Sequence, residues 1–323
     1  MPCASEGLPH NLRSYESKLW LGEKRRGLKL QRKAEAEYYF RRGNDYLDAG
    51  QFDQAISEYV ESLNIYPKVP ETFNNLGLAY FMKGEYDKAI ICYTEAIKIN
   101  IIYSDAYHNR GLAYYNCYKF EEAISDYNLA LKINPLNVDA YINRGNAYRH
   151  SMKYKEAISD YNIAIQINPM LAVAYYNKGL IYDDKNEYEQ AIPEYTKAIE
   201  INPNLAEAYN HRGVSYKKLN NYGQAIKDYT KALEINPNYA DAYHCRGIAF
   251  DDLGQYEQAL SDYDYAINID KRYFRAYYNK AVIYDKLERI TDAVEAYWSF
   301  IKYAPDNSLP YINRAKQRLT ELS

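Results

Sequence analysis

No stretch of this chain approaches 18 consecutive apolar residues, so no membrane-spanning helix is expected. Cysteine is scarce too. Cys3, Cys92, Cys117 and Cys245 form no CxxC pair and show no metal-ligand spacing, so they read as free thiols in a reducing, cytoplasmic setting. The stretch MPCASEGLPHNLRSYESK lacks an apolar signal core, and its acids argue against a transit peptide. Neither sign of charge dominates: the net charge is -3, too small to point to nucleic acid. Residues 1–33 hold eight Lys/Arg against three acids, which leaves an acidic body that repels phosphate. There is no Gly-rich phosphate loop, no nucleophile–base pair and no paired catalytic carboxylates. His211, His244 and Cys245 lack the carboxylate or further thiol that a metal site would need. The expectation is a protein that is not an enzyme, with no cofactor, metal, nucleic-acid or membrane partner.

What is present is repetition. The triplet NRG stands at 109 and again at 143, and related triplets recur every 34 residues. Eight uninterrupted repeats begin at Ala36, Pro70, Ser104, Val138, Ala172, Ala206, Ala240 and Phe274. Numbered from 1 within each repeat, position 4 is aromatic, position 8 is Gly except Ala281, and position 11 is Tyr except Phe250. These positions share one stripe of an α-helix. Position 20 is always Ala and position 24 always Tyr, which marks a second helix able to approach the first closely. Position 32 is Pro apart from Ile101 and Lys271, and Pro ends the second helix. Each repeat is therefore a helix hairpin, and a fixed period of this length predicts a stacked array.

The series aromatic, Gly, Tyr, Ala, aromatic, Ala, Pro over residues 36–307 resembles the tetratricopeptide repeat. That resemblance implies an all-α, right-handed α-solenoid, a superhelix of antiparallel helix hairpins. Residues 308–322 look like a capping helix, with Arg318 in a slot that elsewhere holds Tyr. Domain organisation is expected as a basic N-terminal arm over 1–33, partly ordered or helical, followed by a solenoid over 34–323. Gly22 and Gly27 are expected to interrupt any long helix in the arm, whose Leu19, Trp20 and Leu21 lie beside Lys24, Arg25 and Arg26.

Two positions vary together. Arg42/Glu58, Arg110/Asp126, Arg144/Asp160, Lys178/Glu194, Arg212/Asp228 and Arg246/Asp262 pair position 7 with position 23. Repeat 2 has Leu76 and Cys92 there, losing both charges at once, whereas Lys280/Ala296 in repeat 8 breaks the rule. A ladder of ion pairs beside each hairpin seam is expected.

Position 6 carries the functional expectation. Asn75, Asn109, Asn143, Asn177 and Asn279 lie on a stripe facing away from the hairpin core, with Asn313 at the same position in the cap. An amide side chain can pair with both the N–H and the C=O of an extended backbone. In the tetratricopeptide family this stripe lines the concave groove, and the asparagines are similar to the ladder with which O-linked N-acetylglucosamine transferases grip a peptide main chain. Asp183, Asp184, Asp251 and Asp252 add acid near the C-terminal ends of two first helices, where acid opposes the helix dipole. Lys217 and Lys218 intervene between them. The expected function is a non-catalytic scaffold or adaptor that binds an extended, basic or mixed-charge protein segment in the groove. The alternative is an architectural subunit of a larger assembly that uses convex or edge surfaces.

Overall fold

The computed structural model describes the backbone of residues 10–322, with side chains from residue 27 onward. Cys3 and the side chains of Leu19, Trp20, Leu21, Lys24, Arg25 and Arg26 lie outside the described residues. Among the described residues the secondary structure is helical throughout, and it falls into two compact units that meet between Ala157 and Ile158. The first contains α1 (His10–Asp48), α2 (Phe52–Ile65), α3 (Pro70–Met82), α4 (Tyr86–Ile99), α5 (Ser104–Asn116), α6 (Phe120–Ile133) and α7 (Val138–His150). The boundary passes through α8 (Tyr154–Ile167). The second unit opens with α9 (Ala172–Asp184), α10 (Tyr188–Ile201), α11 (Ala206–Lys218) and α12 (Tyr222–Ile235). It continues through α13 (Ala240–Asp252), α14 (Tyr256–Ile269), α15 (Phe274–Lys286) and α16 (Ile290–Tyr303). A 3-10 turn at Asp306–Ser308 then leads into α17 (Leu309–Leu322). Each unit is an all-α stack of antiparallel hairpins, the build of an α-solenoid, in which a helix packs on its neighbours in the chain.

Helix α1 corrects one expectation, because its backbone runs unbroken through Gly22 and Gly27. A helical glycine costs only about 1 kcal/mol relative to alanine, so two of them weaken a helix without ending it.

The core differs from the expected stripe. Positions 4 and 11 are mostly half-buried, while position 3 (Ala106, Ala208, Ala242) and position 10 (Ala113, Ser215, Ala249) are fully covered. The reason is that each first helix is covered on two sides. Ala89 and Tyr93 of repeat 2 pack on Ala113 of repeat 3, and Ala225 and Tyr229 of repeat 6 pack on Ala249 of repeat 7. The position 24 rings from Tyr59 to Tyr263 are wholly buried. Burying a ring of phenylalanine size contributes on the order of 2 kcal/mol.

That ring also explains the glycine of the triplet. A Cβ on Gly111 would stand 2.8 Å from Tyr127 Cε1, and one on Gly213 would stand 2.8 Å from Tyr229 Cε1. In these hairpins the ring closes over position 8 because it has no side chain; repeat 8 closes over Ala281, with Tyr297 5% exposed. The turn between helices imposes a second demand, a left-handed residue at position 15. Gly50, Gly84 and Gly254 supply it with φ of 71–77°, whereas Tyr118, Met152, Asn186, Asn220 and Glu288 adopt it at φ of 56–59°. Between hairpins, position 31 forms a local turn: Asn100, Asn134, Asn202 and Asn236 each accept the backbone N–H two residues on.

Candidate functional site

The cation of the triplet is structural. Arg110, Arg212 and Arg246 each make two hydrogen bonds of 2.7–2.8 Å to the position 23 aspartate of their own hairpin, namely Asp126, Asp228 and Asp262. The remaining guanidinium arm donates at 3.0 Å to a hydroxyl of the preceding hairpin, Thr94, Thr196 or Thr230. One arginine thus ties three helices. Arg42–Glu58 at 3.1 Å and Lys178–Glu194 at 2.8 Å are further rungs of the same ladder. Lys280, which lacks a position 23 acid, reaches back instead to Asp264 of the preceding repeat. Burial pushes the Asp126 carboxyl up and Arg110 pulls it back, so the pair fixes register more than it adds net stability.

The asparagines of position 6 are held by the preceding hairpin. Asn109 Nδ2 donates to Asn74 Oδ1 at 3.0 Å, and Asn143 Nδ2 lies 2.9 Å from His108 Nε2. In the second unit Asn279 Nδ2 lies 3.1 Å from His244 Nε2. Position 5 of one repeat therefore receives the amide of position 6 of the next. Asn75 is engaged at both ends: its Nδ2 donates to Asn44 at 3.0 Å, and its Oδ1 accepts from Asn74 at 3.2 Å. Tyr59 donates to the same Asn44 oxygen at 2.7 Å, so one polar chain links the first three repeats. Asn177 is buried. Burial holds the two histidines neutral. It depresses His108, and it brings His244 down to about 4 with help from the nearby Arg275 charge.

The aspartates of positions 12 and 13 have partners within the array. Asp183 accepts from Tyr195 at 2.6 Å and from Ser215 at 2.7 Å, with His211 Nδ1 at 3.7 Å. Asp251 pairs with Lys286 at 2.9 Å, and Asp252 lies 3.9 Å from Lys217. Asp285 is bound by two nitrogens of the cap residue Arg318 at 2.7 and 2.8 Å. Acid at the unfavourable end of a first helix thus has a local gain, a bond to the next hairpin. Asp184 and Asp252 are the exposed members of this set. Sequence reasoning missed the role of position 5; its signal was the recurring polar side chain at Asn74, His108 and His244, one repeat before the asparagines that reach it.

Among the described residues, no group of three or more His, Cys, Asp or Glu is placed to hold a metal ion. Burial pushes the Cys92 and Cys245 thiols up to about 11, which leaves them unreactive at neutral pH. No helix among the described residues is long and apolar enough to cross a membrane.

Hairpins tied by a position 7 cation, with a polar face on their first helices, define a helical-repeat protein. Tetratricopeptide repeat profiles match residues 70–100, 138–171, 206–239, 228–261 and 246–307, and a further TPR repeat profile matches 43–84, 119–150 and 179–220. The chain belongs to the tetratricopeptide repeat family, whose fold mediates protein–protein interaction. No curated protein sequence matches it. Among solved structures, a tetratricopeptide repeat protein from Parabacteroides merdae is 23% identical, with coverage of 78% of this chain and 97% of that one and a TM-score of 0.61. The C-terminal part of a TPR repeat-containing protein from Cytophaga hutchinsonii is 18% identical, covering 73% and 98%, with a TM-score of 0.57. The APC/C hetero-tetramer Cut9-Hcn1 matches at 16% identity over 82% of this chain and 52% of that one, with a TM-score of 0.59.

Proposed function

We propose that the chain is a non-catalytic scaffold whose first-helix face takes an extended segment of a partner protein. The observation that carries this reading is the bonding of Asn109, Asn143 and Asn279 to the preceding repeat. A side-chain amide held in one rotamer has already lost its conformational freedom, so its remaining N–H and its carbonyl meet a peptide backbone at little further entropic cost. Asn75 serves the framework more than the ligand, because both its ends are engaged. Exposed Asp184 and Asp252 favour a segment carrying basic residues among others. Affinity capture tests this with Asn109→Ala and Asn143→Ala combined. The reading expects capture to be lost while the helical circular dichroism signal persists; unchanged capture contradicts it.

An edge-docking reading has its own support. Tyr118 and Met152 adopt left-handed backbone yet leave 83% and 75% of their surface exposed. Such strain costs about 1–2 kcal/mol at a non-glycine residue, and Tyr118 gains in return only an edge contact with Phe120, ring centroids 6.2 Å apart. Phe120 stacks on His150 between them, with ring centroids 5.1 Å apart. If a partner docks on this edge, Tyr118→Gly with Met152→Gly raises stability by about 1 kcal/mol in denaturant unfolding and abolishes capture. Raised stability with capture intact rejects edge docking.

A further inference from the structure

Repeat 8 departs from the others where its second helix meets the cap. Position 27 is Ala in repeats 2 to 7, and that small residue lets the next first helix come close, as Ala96 does against Ala106. In repeat 8 it is Phe300, 1% exposed, and the 3-10 turn at Asp306–Ser308 carries the chain around the ring before α17 begins. A cavity of about 620 Å³ opens beside it. Phe300 forms its floor and Phe274, Tyr278 and Tyr311 its walls, with ring centroids 5.0 Å apart for Tyr278–Phe300 and 5.5 Å for Tyr278–Tyr311.

The rim has a single charge. Arg275 and Asn279 line the opening, and no carboxylate does. Arg275 stands at position 2, where six other repeats carry Asp or Glu. A cation there opposes the dipole of α15, and Arg275 has no ion pair among the described residues. Its guanidinium stands over the neighbouring Phe274 ring, 5.7 Å from the centroid, a contact that leaves its charge without an acid. Lys271 and Arg272, both exposed, precede it in the chain. An aromatic box would also suit a cation, but an unpaired arginine at the mouth repels one.

We infer that this cavity is a peptide-anchoring pocket that takes one large apolar side chain whose neighbouring residue is Asp or Glu. The apolar group fills the box of rings and displaces water from it, while the adjacent carboxylate meets the Arg275 guanidinium, a charge-assisted contact. The inference rests on the first-helix reading only in sharing Asn279, and it sharpens the partner segment to one of mixed charge, acidic where it reaches the C-terminal hairpin.

A random-peptide phage library panned on the full chain tests it. Recovered sequences are expected to pair an apolar residue with an adjacent acid. Ser308→Trp, which fills the mouth, should reduce their recovery about tenfold. Arg275→Glu should turn the flanking preference to Lys or Arg; it restores the acid found in other repeats, so it should melt no lower than wild type. Apolar residues flanked by cations on the wild-type chain overturn the inference. Recovery unaffected by either substitution, or no enrichment at all, overturns it as well. Peptides that bind the Asn109/Asn143 double variant as well as wild type, yet are lost on Ser308→Trp, would leave the pocket standing and reject the asparagine reading.

Discussion

Gly213 and Gly223 lie on consecutive helices in opposite surroundings. A Cβ on Gly213 meets the Tyr229 ring and the Ala225 carbonyl oxygen, whereas one on Gly223 meets nothing within 4 Å. Gly213→Ala is expected to destabilise by about 1–3 kcal/mol through overpacking, and Gly223→Ala to stabilise by up to about 1 kcal/mol through helix propensity. Urea unfolding of the two variants checks both signs. His244 gives a second test at this scale. Its pKa is lowered to about 4 by burial, so the unfolded chain binds the proton first as pH falls. Stability supplied by the neutral ring is complete above about pH 6.5 and is lost progressively down to about pH 4, by up to about 3 kcal/mol. His244→Asn keeps a hydrogen-bond acceptor for Asn279, as Asn74 does for Asn109, and should flatten that part of the pH profile in thermal melts. An equally steep profile in the variant would assign the acid sensitivity to other groups.

Between elements, the position 7 ladder ties the two helices of a hairpin, Arg110, Arg212 and Arg246 add a bond to the preceding hairpin, and the rungs differ in cover. Asp228 is 6% exposed and accepts two bonds from Arg212, while the Arg42 side chain is 39% exposed and meets Glu58 at 3.1 Å. Asp228→Ala is expected to cost about 3 kcal/mol, because the guanidinium is left half-buried without its acid, and Glu58→Ala about 1 kcal/mol or less. Guanidine unfolding midpoints measure the contrast; equal losses would mean that burial does not grade the ladder. The pairing of positions 7 and 23 was legible in the sequence, since Leu76 and Cys92 lose their charges together. The helix hairpin was legible for the same reason, an identical spacing repeated eight times. What periodicity within one repeat could not reveal was contact between repeats. Ala at positions 3 and 10, the Asn–His bonds of positions 5 and 6, and the second role of each arginine at Thr94, Thr196 or Thr230 all join different hairpins. Asp183 and Asp251 likewise seemed to lack a local partner because that partner sits a repeat away.

Over the whole chain, two compact units repeat one hairpin design, so function is set by which face stays polar and where the design is broken. Two breaks stand out: bulky residues at the left-handed turn positions Tyr118 and Met152, and Phe300 with Arg275 at the last hairpin. Neither is evident from composition. The first requires knowing that position 15 must be left-handed, and the second requires seeing the space that a ring opens when it replaces alanine. The central claim is that a partner segment lies along the first-helix face. Photo-crosslinking tests it most directly, with a benzoylphenylalanine replacing Leu112, beside Asn109 on α5, or Ile91, which is exposed on second helix α4. The account predicts a crosslinked partner from Leu112 and none from Ile91; crosslinking from Ile91 alone would contradict it.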